Sequence, residues 1–248
     1  MLKPPFPYVG SKVRCLDKII PNLPVRKTYV EVFGGTGVVL LNKPRSRSEV
    51  FTDLNPEIVN LYYVIRDRLP ELLDTLMYLV HSRKQFNLPI EGDQLKRAAR
   101  WLYKRNMSYS GVGTAFSRLT GMTNNRMSGT LHRLGYLKGV SHRLQGVVTL
   151  SQNWERTFAE LDSPETVFYC DPPYVDTGQF YGNWLTRHQH ECFISSVRRL
   201  KGYCAVSGYA NSIYDQYDWD DRIEWKKRIA CARNPEKQHM TEVLWIKE

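Results

Sequence analysis

KTYVEVFGGTGVVLLNKP, residues 27–44, decides how this chain folds. A short β-branched and apolar run, Tyr29 to Phe33, stops at a glycine turn, and the apolar residues Val38, Val39, Leu40 and Leu41 then open a helix. The next segment, EVFTDLNPEIVNLYYVIRD (49–67), repeats the plan, with a strand ending near Asp53 and a helix from about Pro56, where proline suits a first helical turn. Further on, VVTLS (147–151), TVFYC (166–170) and GYCAVSG (202–208) are runs of strand length bounded by polar or turn residues. Between the last two, RHQHECFISSVRRLKG (187–202) is helical by the spacing of Cys192, Phe193, Val197 and Leu200, and Gly202 closes it. Strands alternating with helices imply an α/β fold on a largely parallel sheet.

With 248 residues, 42% of them apolar, the chain can build one large core or one core carrying an insertion. It holds no apolar run near the ~20 residues a membrane helix needs, and MLKPPFPYVGSK lacks the long apolar segment of a signal peptide. A soluble, cytoplasmic protein without a membrane partner is therefore expected. Cys15, Cys170, Cys192, Cys204 and Cys231 form no CxxC pair, which favours reduced, mostly buried thiols over a metal site or a disulfide framework.

The net charge of +10 is concentrated. From Gln94 to Trp154 there is no Asp or Glu, while Lys96, Arg97, Arg100, Lys104, Arg105, Arg118, Arg126, Arg133, Lys138 and Arg143 all fall there. A basic stretch without acids is the footprint of a phosphate-backbone binder, although a solvated basic helix face would look similar. The same region interrupts the strand and helix alternation. Leu95 to Arg105 is helical in pattern, but residues 106–135 scatter glycines at 111, 113, 121, 129 and 135 among Ser, Thr, Asn and Arg, as loops do. The reading is an α/β core of residues 1–67 and 147–248 with residues 68–146 inserted.

In an open α/β sheet, ligands sit beyond the carboxyl ends of the strands. Three such ends carry chemistry. At the first, Gly35 and Gly37 let backbone approach a ligand closely; the turn also serves purely structural purposes, and GxGxxG is incomplete because Leu40 stands third. At the second, Asp53 is placed to accept from ribose hydroxyls, unless it or Asn55 caps the following helix. At the third, FYCDPPYV (168–175) ends an apolar strand on an acid, two prolines and a tyrosine. Proline terminates sheet pairing and stiffens the backbone at the strand's end. The Asp171 carboxylate and a proline carbonyl are two acceptors, suited to an exocyclic amine with two hydrogens to donate, and Tyr174 offers a flat face for a base.

These motifs resemble those of the Dam-like DNA adenine-N6 methyltransferases, in which cofactor-binding motifs come first, target recognition lies in the middle and DPPY comes last. PFPYVGSK, EVFGGTG, FTDLNPEIVNLY and YCDPPY carry the resemblance, supported by HRLQGVVTL, HECFISSVRRLKGYCAVSGY and TEVLWIKE; in the middle, RNMSYSGV is a loose likeness. The resemblance implies a Rossmann-like methyltransferase sheet with an inserted, mainly helical and loop DNA-recognition subdomain. It implies S-adenosylmethionine across Phe33, Gly35 and Gly37 with its ribose on Asp53, Tyr8 and Lys12 toward the methionine end, and Glu31, Asn55, Asn153 and Asp171 completing the cofactor set. Asp171, Pro172, Pro173 and Tyr174 become the catalytic residues, acting on a flipped-out base of double-stranded DNA. DNA contacts fall to Arg105, Asn106, Tyr109, Ser110, Arg118, Asn124, Asn125, Arg126 and Arg133. No metal is implied, and whether a partner endonuclease exists stays open.

Two residues depart from the pattern: Val32 replaces a frequent proline, and Asn153-Trp154 replaces a frequent Asp-aromatic pair. Rival readings are cytosine-N4 methylation, which faces the same amine chemistry, RNA or protein-amide methylation, a DNA-binding module with a decayed cofactor site, and an NAD-dependent dehydrogenase, for which DPPY has no role.

Overall fold

The computed structural model describes residues 1–79, 82–108, 111–117, 135–175, 185–228 and 239–248. Its strands are β1 (Thr28–Val32), β2 (Ser48–Asp53), β3 (Val147–Ser151), β4 (Thr166–Cys170), β5 (Tyr203–Tyr209), β6 (Asp221–Arg228) and β7 (His239–Lys247). The helices are α1 (Leu16–Ile19), α2 (Val38–Asn42), α3 (Pro56–Asp67), α4 (Leu69–Met77), α5 (Arg83–Asn87), α6 (Gln94–Met107), α7 (Leu137–Leu144), α8 (Trp154–Leu161), α9 (Arg187–Arg198) and α10 (Ser212–Asp215). The sheet runs β3-β2-β1-β4-β5-β7-β6. Parallel pairing joins β1 to β2 and β4, and β4 to β5. β7 is antiparallel to both β5 and β6.

The α/β class is as the sequence pattern predicts, with an antiparallel addition that strand and helix alternation did not anticipate. β4 is buried along its whole length, as a strand covered on both faces must be, which is why TVFYC reads as a continuous apolar run. β6 reads differently: Ile223 and Trp225 alternate with charged residues, the period-two signature of a half-exposed strand.

The chain divides into two compact units, Met1–Asp17 with Gly35–Lys43 and Asp53–Ser151, and Lys18–Gly34 with Pro44–Thr52 and Gln152–Glu248. In the first, α3 presents Ile58, Leu61, Tyr62, Val64 and Ile65 as one buried face and packs on α4, α6 and α7. Asn55 caps α3 by accepting from Glu57 N at 3.0 Å, and Asp93 caps α6 by accepting from Lys96 N at 2.8 Å. Phe6 meets the edge of Trp101 on α6, ring centroids 4.7 Å apart, so the N-terminal segment is anchored to that helix.

In the second unit, Trp154, Phe158, Phe168 and Phe193 form an aromatic cluster under the sheet, joined by Phe33 from the end of β1. A reciprocal cap between Thr186 and Gln189 starts α9. Gly34 is required by space: a Cβ there would stand 2.2 Å from the Phe51 ring, and Gly34 N donates to Thr52 O at 2.8 Å.

Candidate active site

The strand order reverses between β1 and β4: the chain leaves β1 for β2 on one side and later returns to β4 on the other. Connections diverging from two parallel neighbours open a crevice at their carboxyl ends, the place where such sheets bind ligands. Here Asp171 N donates to Val32 O at 3.3 Å, so the DPPY segment leaves β4 directly beside the end of β1. Phe33, the next residue on that side, has φ 57°, a left-handed conformation that costs a bulky side chain energy and marks the end of β1 as a constrained turn.

Asp171 is partly exposed, and its Oδ1 accepts from Ser207 Oγ at 3.0 Å. Ser207 is itself buried in β5 and lies 2.9 Å from the hydroxyl of Tyr169, with which it shares a hydrogen bond. Burial, followed by the charge of Asp171, pushes the Tyr169 phenol well above its ordinary ionisation range. Pro172 is buried while Pro173 and Tyr174 are partly exposed. The Tyr174 hydroxyl donates to Glu242 Oε1 at 2.6 Å, and its ring lies edge-on to Tyr209 with centroids 4.4 Å apart. Burial raises the Tyr174 pKa strongly, and the charges of Asp171 and Glu242 add to it.

Glu31 is buried in β1 and accepts from the Tyr29 hydroxyl at 2.8 Å. Asn153 is exposed and its Oδ1 caps α8, accepting from Arg156 N at 3.1 Å.

In the first unit, Asp53 receives Gly35 N on Oδ2 and Asn55 N on Oδ1, both at 2.8 Å. The capping alternative is thereby decided: Asn55 caps the helix, and Asp53 ties the end of β2 to the glycine turn. Burial raises the Asp53 pKa, while the Asn55 and Gly35 N–H groups pull it back down. Gly35 and Gly37 both adopt positive φ, 51° and 55°, as a glycine turn of this shape demands. Lys12 is buried, with Nζ donating to Gly10 O at 3.1 Å. Burial first, then the charge of Asp53, pushes the Tyr8 phenol up to about 12, against the lowering effect of Arg105.

Arg105, expected to contact DNA, acts in this structure as a strut. Its Nη1 donates to Gly111 O at 3.0 Å and Val112 O at 2.8 Å, and its guanidinium lies over the rings of Trp101 and Tyr8 at 4.7 and 5.2 Å. Asn106 is buried and donates to Leu102 O at 2.9 Å, one turn back along its own helix. Other basic residues of the acid-free stretch are also engaged: Arg97 pairs with Glu57, Arg100 donates to Gln85 O at 3.1 Å, and Arg143 is buried. Lys96 and Lys138 are exposed. Tyr109, Ser110, Arg118, Asn124, Asn125, Arg126 and Arg133 lie outside the described residues.

Ser207, Glu242 and Tyr209 were not singled out from the sequence. A signal existed for two of them, since each is a polar residue interrupting an apolar strand, AVSGY and TEVLW.

Known proteins resemble this chain in sequence. The model of the D12 class N6 adenine-specific DNA methyltransferases matches residues 8–230, and the chain belongs to that family. Among curated relatives, the DNA adenine methylase of Haemophilus influenzae is 26% identical over 195 residues, 71% of this chain and 65% of that protein. The DNA adenine methylase of Escherichia coli K12 is 27% identical over 182 residues, 68% of this chain and 63% of that protein. The DNA adenine methylase of Vibrio cholerae O395 is 27% identical over 184 residues, covering 68% and 64%. The chain thus spans just under two thirds of the length of these relatives.

Proposed function

We propose that this chain is a site-specific DNA methyltransferase that transfers a methyl group from S-adenosylmethionine to N6 of adenine in double-stranded DNA. Family membership supports the reaction class, and one observation carries the assignment to residues: a serine-held carboxylate at Asp171, followed by the Pro172 carbonyl, at the reversal point of the sheet.

The residues present fit the cofactor. Each Asp53 oxygen accepts one backbone N–H and a carboxylate oxygen has a second lone pair, so the group can also take ribose hydroxyls. Gly35 and Gly37 keep side chains away from that end of β2, and Tyr8 and Lys12 would face the methionine portion. Bound there, S-adenosylmethionine supplies an electrophilic methyl on sulfur.

The chain's own residues then act on the acceptor. The adenine amine is a weak nucleophile because its lone pair is delocalised into the ring. Asp171 and the Pro172 carbonyl, by accepting its two hydrogens, favour the pyramidal nitrogen of the transition state over the planar ground state. In a duplex the amine is out of reach, so the base must leave the stack, and Tyr174 supplies the face it rests on. Phosphate contacts would come from the acid-free region, with Arg118, Asn124, Asn125 and Arg126 as candidates for base edges.

Tritiated methyl incorporation into unmethylated DNA, followed by nucleoside analysis, tests the reading. N6-methyladenine is the expected product; N4-methylcytosine would establish the rival chemistry, and no product with varied duplexes would refute both. Asp171→Ala should abolish transfer while calorimetry still detects cofactor binding, which also separates an enzyme from a decayed DNA-binding module.

A further inference from the structure

Glu242 is outside the set of residues assigned above to methyl transfer, yet its position is hard to explain as packing. It lies in β7 with 0% exposure, where an apolar residue would fill the sheet without the cost of desolvating a carboxylate. Antiparallel pairing sets Glu242 directly opposite Tyr209 on β5. The two neighbours engage the same third residue: Glu242 Oε1 receives the Tyr174 hydroxyl at 2.6 Å, and the Tyr209 ring meets the Tyr174 ring at 70°. Tyr174 is held at its tip and along its flank.

We infer that Glu242 is a positioning residue for methyl transfer, fixing through the Tyr174 hydroxyl the plane of the ring on which the target base stacks. The inference rests on the methyltransferase reading and extends it by one residue. A stacking platform free to swing must be ordered each time a base arrives, at an entropic cost to the transition state; a ring already anchored at its hydroxyl avoids that cost. Two chain segments far apart in sequence meet here, DPPY after β4 and the final strand.

A double-mutant cycle separates this role from simple structural support. Tyr174→Phe keeps the ring and removes the hydroxyl. Glu242→Leu removes the acceptor, and Glu242→Gln keeps an acceptor oxygen without the charge. In single-turnover methylation of duplex DNA, Tyr174→Phe and Glu242→Leu should each slow transfer about tenfold, the scale of one lost hydrogen bond. The double variant should be no slower than the slower single, Glu242→Gln should retain at least roughly a third of the rate, and the cofactor Kd should stay within about twofold throughout.

If Tyr174→Phe matches the wild type, or if Glu242→Leu slows the Tyr174→Phe protein by a further tenfold or so, Glu242 does not act through this hydroxyl and the inference fails. Should Glu242→Leu not fold, Tyr174→Phe and Glu242→Gln decide the matter by the same criteria. An inactive wild type would overturn the methyltransferase reading, and this inference with it; an active wild type with unaffected variants overturns this inference alone.

Discussion

Ser207 donates to Asp171 across the β4–β5 boundary at 3.0 Å, and the same hydroxyl is shared with Tyr169 one residue before Cys170. Ser207, on the neighbouring strand, therefore helps orient the carboxylate at the end of β4. Two rigid prolines beyond Asp171 fix the backbone, and Ser207 fixes the side chain.

Replacing Ser207 with alanine removes one hydrogen bond to a charged group, worth about 1.5–3 kcal/mol. Transfer at saturating cofactor should fall roughly 10- to 150-fold by that measure. Cofactor affinity, measured by calorimetry, should not change. A wild-type rate in Ser207→Ala would mean the Asp171 carboxylate is oriented without it.

Asp53 makes a paired prediction about pH. Burial raises its folded pKa above the ordinary 3.8, so its contribution to stability is full below that value and is lost as pH rises through the folded pKa. Denaturant titrations of Asp53→Asn, run upward from pH 3.8, should show that fall removed. Cofactor affinity should move the opposite way in the wild type, strengthening as the carboxylate ionises, and should weaken in Asp53→Asn by about tenfold or more.

Gly34 offers a test of packing alone. An alanine Cβ would lie 2.2 Å from Phe51 Cε2, a clash that must displace the ring or the turn. Gly34→Ala should cost about 1–3 kcal/mol, lowering Tm by roughly 2–4 °C for each kcal/mol. Adding Phe51→Leu makes room, so the double variant should lose less than the sum of the two single changes. Strict additivity in calorimetric melts would show that the two residues do not compete for that space.

How much of this was legible in the sequence depended on whether the relevant physics is local. The β1 turn, the end of β2 and DPPY announce themselves because glycine, proline and strand ends act within a few residues. For the α3 cap the sequence left Asp53 and Asn55 open, and the carboxylate geometry of Asp53 was needed to choose. Glu242 stayed hidden because its partner Tyr174 lies 68 residues away, and the pairing of β4 with β5 and of β5 with β7 brings their segments together. The basic stretch is a different case, because counting charge ignores where guanidinium groups point: Arg97 pairs with Glu57, Arg100 and Arg105 donate to backbone carbonyls, and Arg143 is buried. α4 and α7 fall within the insertion expected to be mainly helical and loop, but their bounds were not drawn because that region was read by its glycines and charge rather than by apolar spacing.

Arg105 therefore makes the clearest contrast between charge counted and charge displayed. It holds the carbonyls of Gly111 and Val112 while lying over Trp101 and Tyr8, and a Cβ on Gly111 would stand 2.5 Å from Pro7 O, so this loop is seated closely on the N-terminal segment. Arg105→Ala should destabilise the protein by about 1–3 kcal/mol, from lost hydrogen bonds and cation–π contact. DNA affinity measured across a salt series should keep its slope, because no phosphate contact is removed. A slope shallower by about one would instead identify Arg105 as a phosphate ligand, and the strut would then have to release its carbonyls when DNA binds.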